Sequence, residues 1–190
     1  MEKNDDVNQS NFWENRYKKE EIGWDLGAET PVFTALSDTL DPGKVCILGC
    51  GNGYDAILFS KKGFSVTAVD FAETPIHNLE SNARSLSLSI ETIKKDIFDL
   101  TPDYSSQFDY IIEQTCFCAI DPLKRVQYSN LVYDLLKVGG KLIGLWMPLD
   151  KDIDEGGPPF GVKEDEIKML FYNKWKITAD YFPNQSIEPR

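Results

Sequence analysis

The stretch Lys44-Val45-Cys46-Ile47-Leu48-Gly49-Cys50-Gly51-Asn52-Gly53 decides the fold, because a short apolar run breaks directly into closely spaced glycines. Such a run reads as a buried parallel strand feeding a turn. Asp55 to Lys62 then reads as a helix. Phe64 to Asp70 is β-branched and alternating and forms a second strand. Pro75 to Leu86 carries Ile76, Leu79, Ala83 and Leu86 at helical spacing. Ile90–Lys94 and Phe108–Gln114 are the third and fourth strands. Leu123–Leu136 is a helix, and Lys141–Met147, after the Gly139-Gly140 turn, is the fifth strand. Strands alternating with helix-length connections predict a doubly wound, mostly parallel α/β sheet with ligands beyond the carboxyl ends of the strands.

The glycines let backbone N–H groups and a helix N-terminus approach a ligand. Asp70 ends the second strand about twenty residues further on, where a carboxylate accepts hydrogen bonds from ribose hydroxyls. Together they indicate an adenosine-containing cofactor. The spacing is G-x-G-x-G rather than G-x-G-x-x-G, which suits a nucleoside without phosphates better than a dinucleotide. Asp96 follows the third strand and can meet an adenine amino group, with Ile97 and Phe98 against the ring; otherwise Lys95 to Asp99 is a surface turn. A sulfonium cofactor, S-adenosylmethionine, matches the acidic and aromatic residues of the chain, since ring faces hold a cation. Trp13 and Tyr17 share one face of a helix expected to open on an Asn11/Glu14 capping box, and Trp24 lies just beyond; plain core packing is the competing role.

The bulk composition agrees. A chain of 190 residues, 42% hydrophobic and 27% charged, has the size and make-up of one globular domain, so residues 1–190 are expected to fold as a unit. A net charge of -11 without a basic patch argues against a nucleic-acid partner. MEKNDDVNQS has no apolar signal segment and no later run spans a bilayer, so the expectation is a cytoplasmic protein, monomeric, with no membrane partner and a small-molecule acceptor. Cys46, Cys50, Cys116 and Cys118 lack metal-site spacing and His77 is the only histidine, so no metal is expected.

Several blocks resemble the thiopurine S-methyltransferase superfamily, above all its plant thiol, thiocyanate and halide methyltransferases. They are Phe12-Trp13-Glu14-Asn15-Arg16-Tyr17, Gly23-Trp24-Asp25-Leu26-Gly27, Leu48 to Asp55, Phe117-Cys118-Ala119-Ile120-Asp121-Pro122 and Gly156-Gly157-Pro158-Pro159-Phe160. The resemblance implies a Rossmann-like class I fold using S-adenosylmethionine. It also implies that Trp13, Tyr17 and Trp24 close over that cofactor, Gly49 and Gly51 contact it, Asp70 holds the ribose, Asp96 and Ile97 face adenine, and Gln114 lines the methionine side. Ile47 stands two before the first glycine, where many other methyltransferases are acidic; this family commonly lacks that acid. The aromatic arm 11–34 and the insertion 148–161 are expected to cover the site. After an expected strand Trp175–Phe182, family members continue into a last antiparallel strand, so this sheet edge is expected to be shortened or exposed.

Sulfonium methyl transfer is an in-line displacement that needs alignment and dryness more than a general base. No Asn-Pro-Pro-Tyr or Asp-Pro-Pro-Tyr segment follows the fourth strand. Glu113 to Cys118 stands there, a soft lining for a sulfur or halide acceptor, unless Cys116 and Cys118 are small buried fillers. The expected activity is methyl transfer to a thiol, bisulfide, thiocyanate or halide. A thiopurine or metalloid acceptor and a non-catalytic cofactor-binding module are the alternatives. A nicotinamide dehydrogenase is disfavoured by the glycine spacing.

Overall fold

In the computed structural model, which describes residues 6–185, the strands are β1 Lys44–Leu48, β2 Ser65–Asp70, β3 Ile90–Lys94, β4 Phe108–Gln114 and β5 Leu136–Leu145. The helices are α1 Ser10–Lys18, α2 Pro31–Ser37, α3 Tyr54–Lys61, α4 Glu73–Ser85, α5 Thr101–Tyr104, α6 Arg125–Leu135 and α7 Glu164–Leu170. The sheet order is β3-β2-β1-β4-β5 and every pairing is parallel. Strand order reverses between β1 and β4, and the turns leaving these two strands therefore flank the switch point where ligands bind in open α/β sheets.

Both faces of β1 are covered, which is why its sequence is continuously apolar rather than alternating. Val45 and Ile47 pack with Ala56, Phe59 and Leu79 on one side, and Cys46 and Leu48 with Ile111, Leu131 and Leu135 on the other.

Four expectations are corrected. The capping box at Asn11 does not form: Gln9 is the N-cap of α1, and Glu14 instead accepts the Glu73 and Thr74 amides, both at 2.9 Å, and the Thr74 hydroxyl at 2.7 Å. That external cap lets α4 begin at Glu73 rather than Pro75, because Ala72 at its N-cap brings no capping side chain. β5 starts at Leu136, not Lys141: Leu136 already pairs with Phe108, and residues 137–140, the glycine pair among them, bulge opposite Asp109 before Lys141 pairs with Tyr110. Trp175–Phe182 is not a strand. Its alternation has no ladder partner among the described residues, and Ile177, Tyr181 and Phe182 stand exposed while Trp175 packs on Phe171. Among the described residues β5 is consequently an open sheet edge.

Candidate active site

A cavity of about 850 Å³ opens at the carboxyl ends of β1, β2, β3 and β4. All nine residues expected at a cofactor line it: Trp13, Tyr17, Trp24, Gly49, Gly51, Asp70, Asp96, Ile97 and Gln114.

Gly49, Gly51 and Gly53 have φ of +60°, +53° and +81°, left-handed conformations that side chains rarely adopt. The reversal they make places the Gly51 N–H on Asp70 Oδ2 at 2.9 Å, while the Ala72 N–H reaches Oδ1 at 2.9 Å. Asp70 is thus fixed in orientation by backbone donors, and each oxygen keeps a lone pair for a hydroxyl. Burial pushes its carboxyl up, partly countered by those N–H groups. Asp96 has the same design in smaller form: Oδ1 takes the Phe98 N–H at 3.0 Å, which caps the turn Ile97–Asp99, and Oδ2 accepts no bond from that turn. The Lys124 ammonium stands 5.1 Å from the Phe98 ring centroid beside it.

Over the glycine turn lies the aromatic arm. Trp24 meets Trp13 and Tyr17 edge to face at 5.7 and 5.8 Å, and the Trp13 indole N–H is held by the Val7 carbonyl at 2.9 Å. The Tyr17 hydroxyl is 3.2 Å from where a Cβ on Gly51 would sit. Burial first, and the Asp70 charge second, push that phenol up, so it stays protonated. The arm and the insertion both contribute lining, the latter through Pro148, Pro158 and Pro159. The Phe160 N–H to Cys118 carbonyl bond, 2.7 Å, fastens the insertion to the turn after β4.

In the turn after β4 Cys116 lines the cavity, while Cys118 is buried outside the lining, its thiol 3.4 Å from the Thr115 carbonyl. The soft-lining reading thus falls to Cys116, and Cys118 fills the core.

Sequence reading gave no role to several groups the fold brings here. Asp25 accepts the Gly27 N–H at 2.6 Å and the Asn52 amide, and Asn52 in turn accepts from Asn78 at 2.9 Å, lacing the arm to the glycine turn and α4. Asp55 takes the Thr30 N–H and hydroxyl at 2.8 and 2.9 Å and so holds the start of α2. Both acids stand inside recognisable blocks, which was the available signal; Glu14 stands in one too but was expected to cap its own helix, and Glu113 stands in none, its partners being set by the folded chain.

The residues fit S-adenosylmethionine: a turn bare of side chains at Gly49, Gly51 and Gly53, a buried acid with spare acceptors at the second strand, a second acid at the third, and rings opposite. Comparison with known proteins agrees. A family model described as Thiopurine S-methyltransferase (TPMT) matches residues 8–187. The chain is 32% identical over 167 residues to a probable thiol methyltransferase 2 of Arabidopsis thaliana, covering 86% of this chain and 72% of that protein. It is 28% identical to a thiopurine S-methyltransferase of Pseudomonas fluorescens, covering 87% of this chain and 83% of that one. In fold it resembles the 1,6-didemethyltoxoflavin-N1-methyltransferase of Burkholderia thailandensis, a structure with bound S-adenosylhomocysteine, at TM-score 0.69 and 21% identity over 87% of this chain and 74% of that one. The chain belongs to the thiopurine S-methyltransferase family, and it is an S-adenosylmethionine-dependent S-methyltransferase.

Proposed function

We infer that this protein methylates a small sulfur or halide nucleophile, a thiol, bisulfide, thiocyanate or halide. The observation that carries the reading is the character of the acceptor wall: Cys116, Ala119, Ile120, Leu145 and Trp146 line it, apolar and polarizable rather than amide-binding. The similarity to plant thiol and thiocyanate methyltransferases supports the same class.

In this reading Asp70 accepts the ribose hydroxyls, Asp96 the adenine amino group with Ile97 beside the ring, and Gly49 and Gly51 leave the backbone bare for close approach. Gln114 faces the methionine side, and Trp13, Tyr17 and Trp24 hold cationic charge over their rings and exclude water. The cofactor supplies an electrophilic methyl on a good leaving group. The protein's task is alignment of the acceptor in line with it. Bisulfide, thiocyanate and halide need little or no deprotonation, and a thiol of pKa about 8.5 is already a few per cent thiolate at pH 7.

A thiopurine is the second reading, favoured by the cavity volume, which lies high in the roughly 300–1,000 Å³ range of small-molecule sites and leaves room for an aromatic acceptor. A transfer screen with labelled S-adenosylmethionine against small thiols, bisulfide, thiocyanate, iodide and a thiopurine decides. Transfer to one or more of the first four is expected. Transfer to the thiopurine alone installs the second reading, and S-adenosylhomocysteine binding without transfer to any of the five puts the acceptor outside both classes.

A further inference from the structure

Glu113 and Gln114 are neighbours on β4, and the period of two sends their side chains to opposite faces. Gln114 lines the cavity, whereas Glu113 is 1% exposed in the core. Glu113 Oε1 accepts the amide N–H groups of both Cys116 and Phe117 at 2.9 Å. Among the described residues, its Oε2 and the nearby buried Tyr128 hydroxyl have no hydrogen-bond partner. An apolar side chain would fill this place without the desolvation cost a buried carboxyl carries.

The two bonds act on a strained turn. Thr115, between Glu113 and the amides it holds, sits at φ +61°, a left-handed conformation that a β-branched residue adopts only when its surroundings enforce it. The residues beyond it are set tightly. Cys116 Cβ and Sγ lie 3.0 Å from where a Cβ on Gly49 would be, so this turn packs directly on the glycine turn. The Phe117 ring is held by Tyr128 at 5.4 Å, by Trp146 at 5.2 Å and by the Arg125 guanidinium at 4.7 Å. Cys116 and Trp146 both line the acceptor side of the cavity.

We propose that Glu113 is a positioning residue for methyl transfer: by gripping two consecutive amides it imposes the Thr115 conformation and so fixes Cys116 and Trp146 against the glycine turn, setting the wall that aligns the acceptor. The turnover part of this rests on the methyl-transfer reading above. The placement part does not.

Cys116 reports placement without any acceptor. Wild type, Glu113→Ala and Glu113→Gln are alkylated with iodoacetamide at a temperature where melting curves show each folded, and Cys116 is followed by peptide mass mapping. Glu113→Ala should label Cys116 about tenfold faster and lose about tenfold in kcat, with acceptor KM and S-adenosylhomocysteine affinity changed less than about threefold. Glu113→Gln retains an oxygen that accepts both amides and should restore labelling and kcat to within about threefold of wild type. Should the alanine variant not fold, Glu113→Asp, its carboxylate drawn back by one methylene, carries the same comparison. Wild-type labelling in folded Glu113→Ala or Glu113→Asp overturns the proposal, as does a kcat loss that glutamine fails to rescue. Faster labelling with no transfer by wild type to any acceptor would instead refute the methyl-transfer reading and leave the placement role standing.

Discussion

Asp70 was expected at a ligand because it ends a strand some twenty residues past a glycine turn, and the structure places it in the cavity wall. The structure adds that both oxygens are pre-set by the Gly51 and Ala72 amides. Asp70→Ala should weaken S-adenosylhomocysteine binding by about 1.5–3 kcal/mol through lost charge-assisted hydrogen bonds, read by titration calorimetry; unchanged affinity sinks the ribose assignment. Glu113 was illegible for the opposite reason: both of its bonds depend on the left-handed turn at Thr115, which no local pattern announces. Burial raises its carboxyl from 4.5 to about 7 against the pull of the Phe117 and Cys116 amides, and the uncharged Cys116 thiol and Tyr128 phenol are the titratable groups packed against it. A raised carboxyl pKa favours the fold while the group is protonated. Its contribution is therefore full below about pH 4.5 and is lost as pH rises to about 7, an effect on the order of 3 kcal/mol. Measured from pH 4 to 8, the stability of Glu113→Gln should gain on wild type across that window and run parallel above it. A constant difference would mean that folding leaves the Glu113 carboxyl unshifted.

The core elements were readable because each carries its own periodicity: β1, β2, β3 and β4 fall within a residue of expectation, and α4 shows its buried stripe of Ile76, Leu79 and Ala83. What sequence could not show is where one element finishes another. Glu14 on α1 and Thr74 on α4 are 60 residues apart, yet the carboxylate takes two amides and a hydroxyl at the positive end of α4. Burial alone would push Glu14 up, but the bonds from Thr74, Lys18 and Glu73 outweigh it and hold the carboxyl at about 2. A lowered carboxyl pKa gives stability that is present above the ordinary value of 4.5 and disappears as pH falls towards 2. The same contact ties α1, which carries Trp13 and Tyr17, to the Rossmann body. Glu14→Ala should therefore cost about 0.5–2 kcal/mol of stability at pH 7, a loss that fades towards pH 2. It should also weaken S-adenosylhomocysteine binding. Full affinity with reduced stability would make Glu14 a helix cap and nothing more.

At the scale of the whole molecule the dominant property is charge. The chain carries -11, and the cavity itself is acidic: Glu21, Asp25, Asp55, Asp70, Asp96 and Asp150 line it against Arg16 and Lys124. That field attracts a cationic cofactor and repels an anionic acceptor, so the two candidate acceptor types are distinguishable without knowing the pocket in atomic detail. Thiocyanate, bisulfide and iodide approach as anions, whereas an organic thiol can approach uncharged. Raising ionic strength from about 0.01 to about 0.15 M shortens the screening length from about 30 to about 8 Å and removes most long-range repulsion. With saturating S-adenosylmethionine, kcat/KM for an anionic acceptor should rise roughly two- to fivefold over that range, while a neutral thiol should respond little. Sulfate is the salt to use, because chloride is itself a candidate acceptor. A falling kcat/KM for anions would mean that a local cation, Arg16 or Lys124, outweighs the global charge at the cavity mouth. Arg16→Gln and Lys124→Gln would then locate it, since the variant lacking that cation should recover the rise with salt.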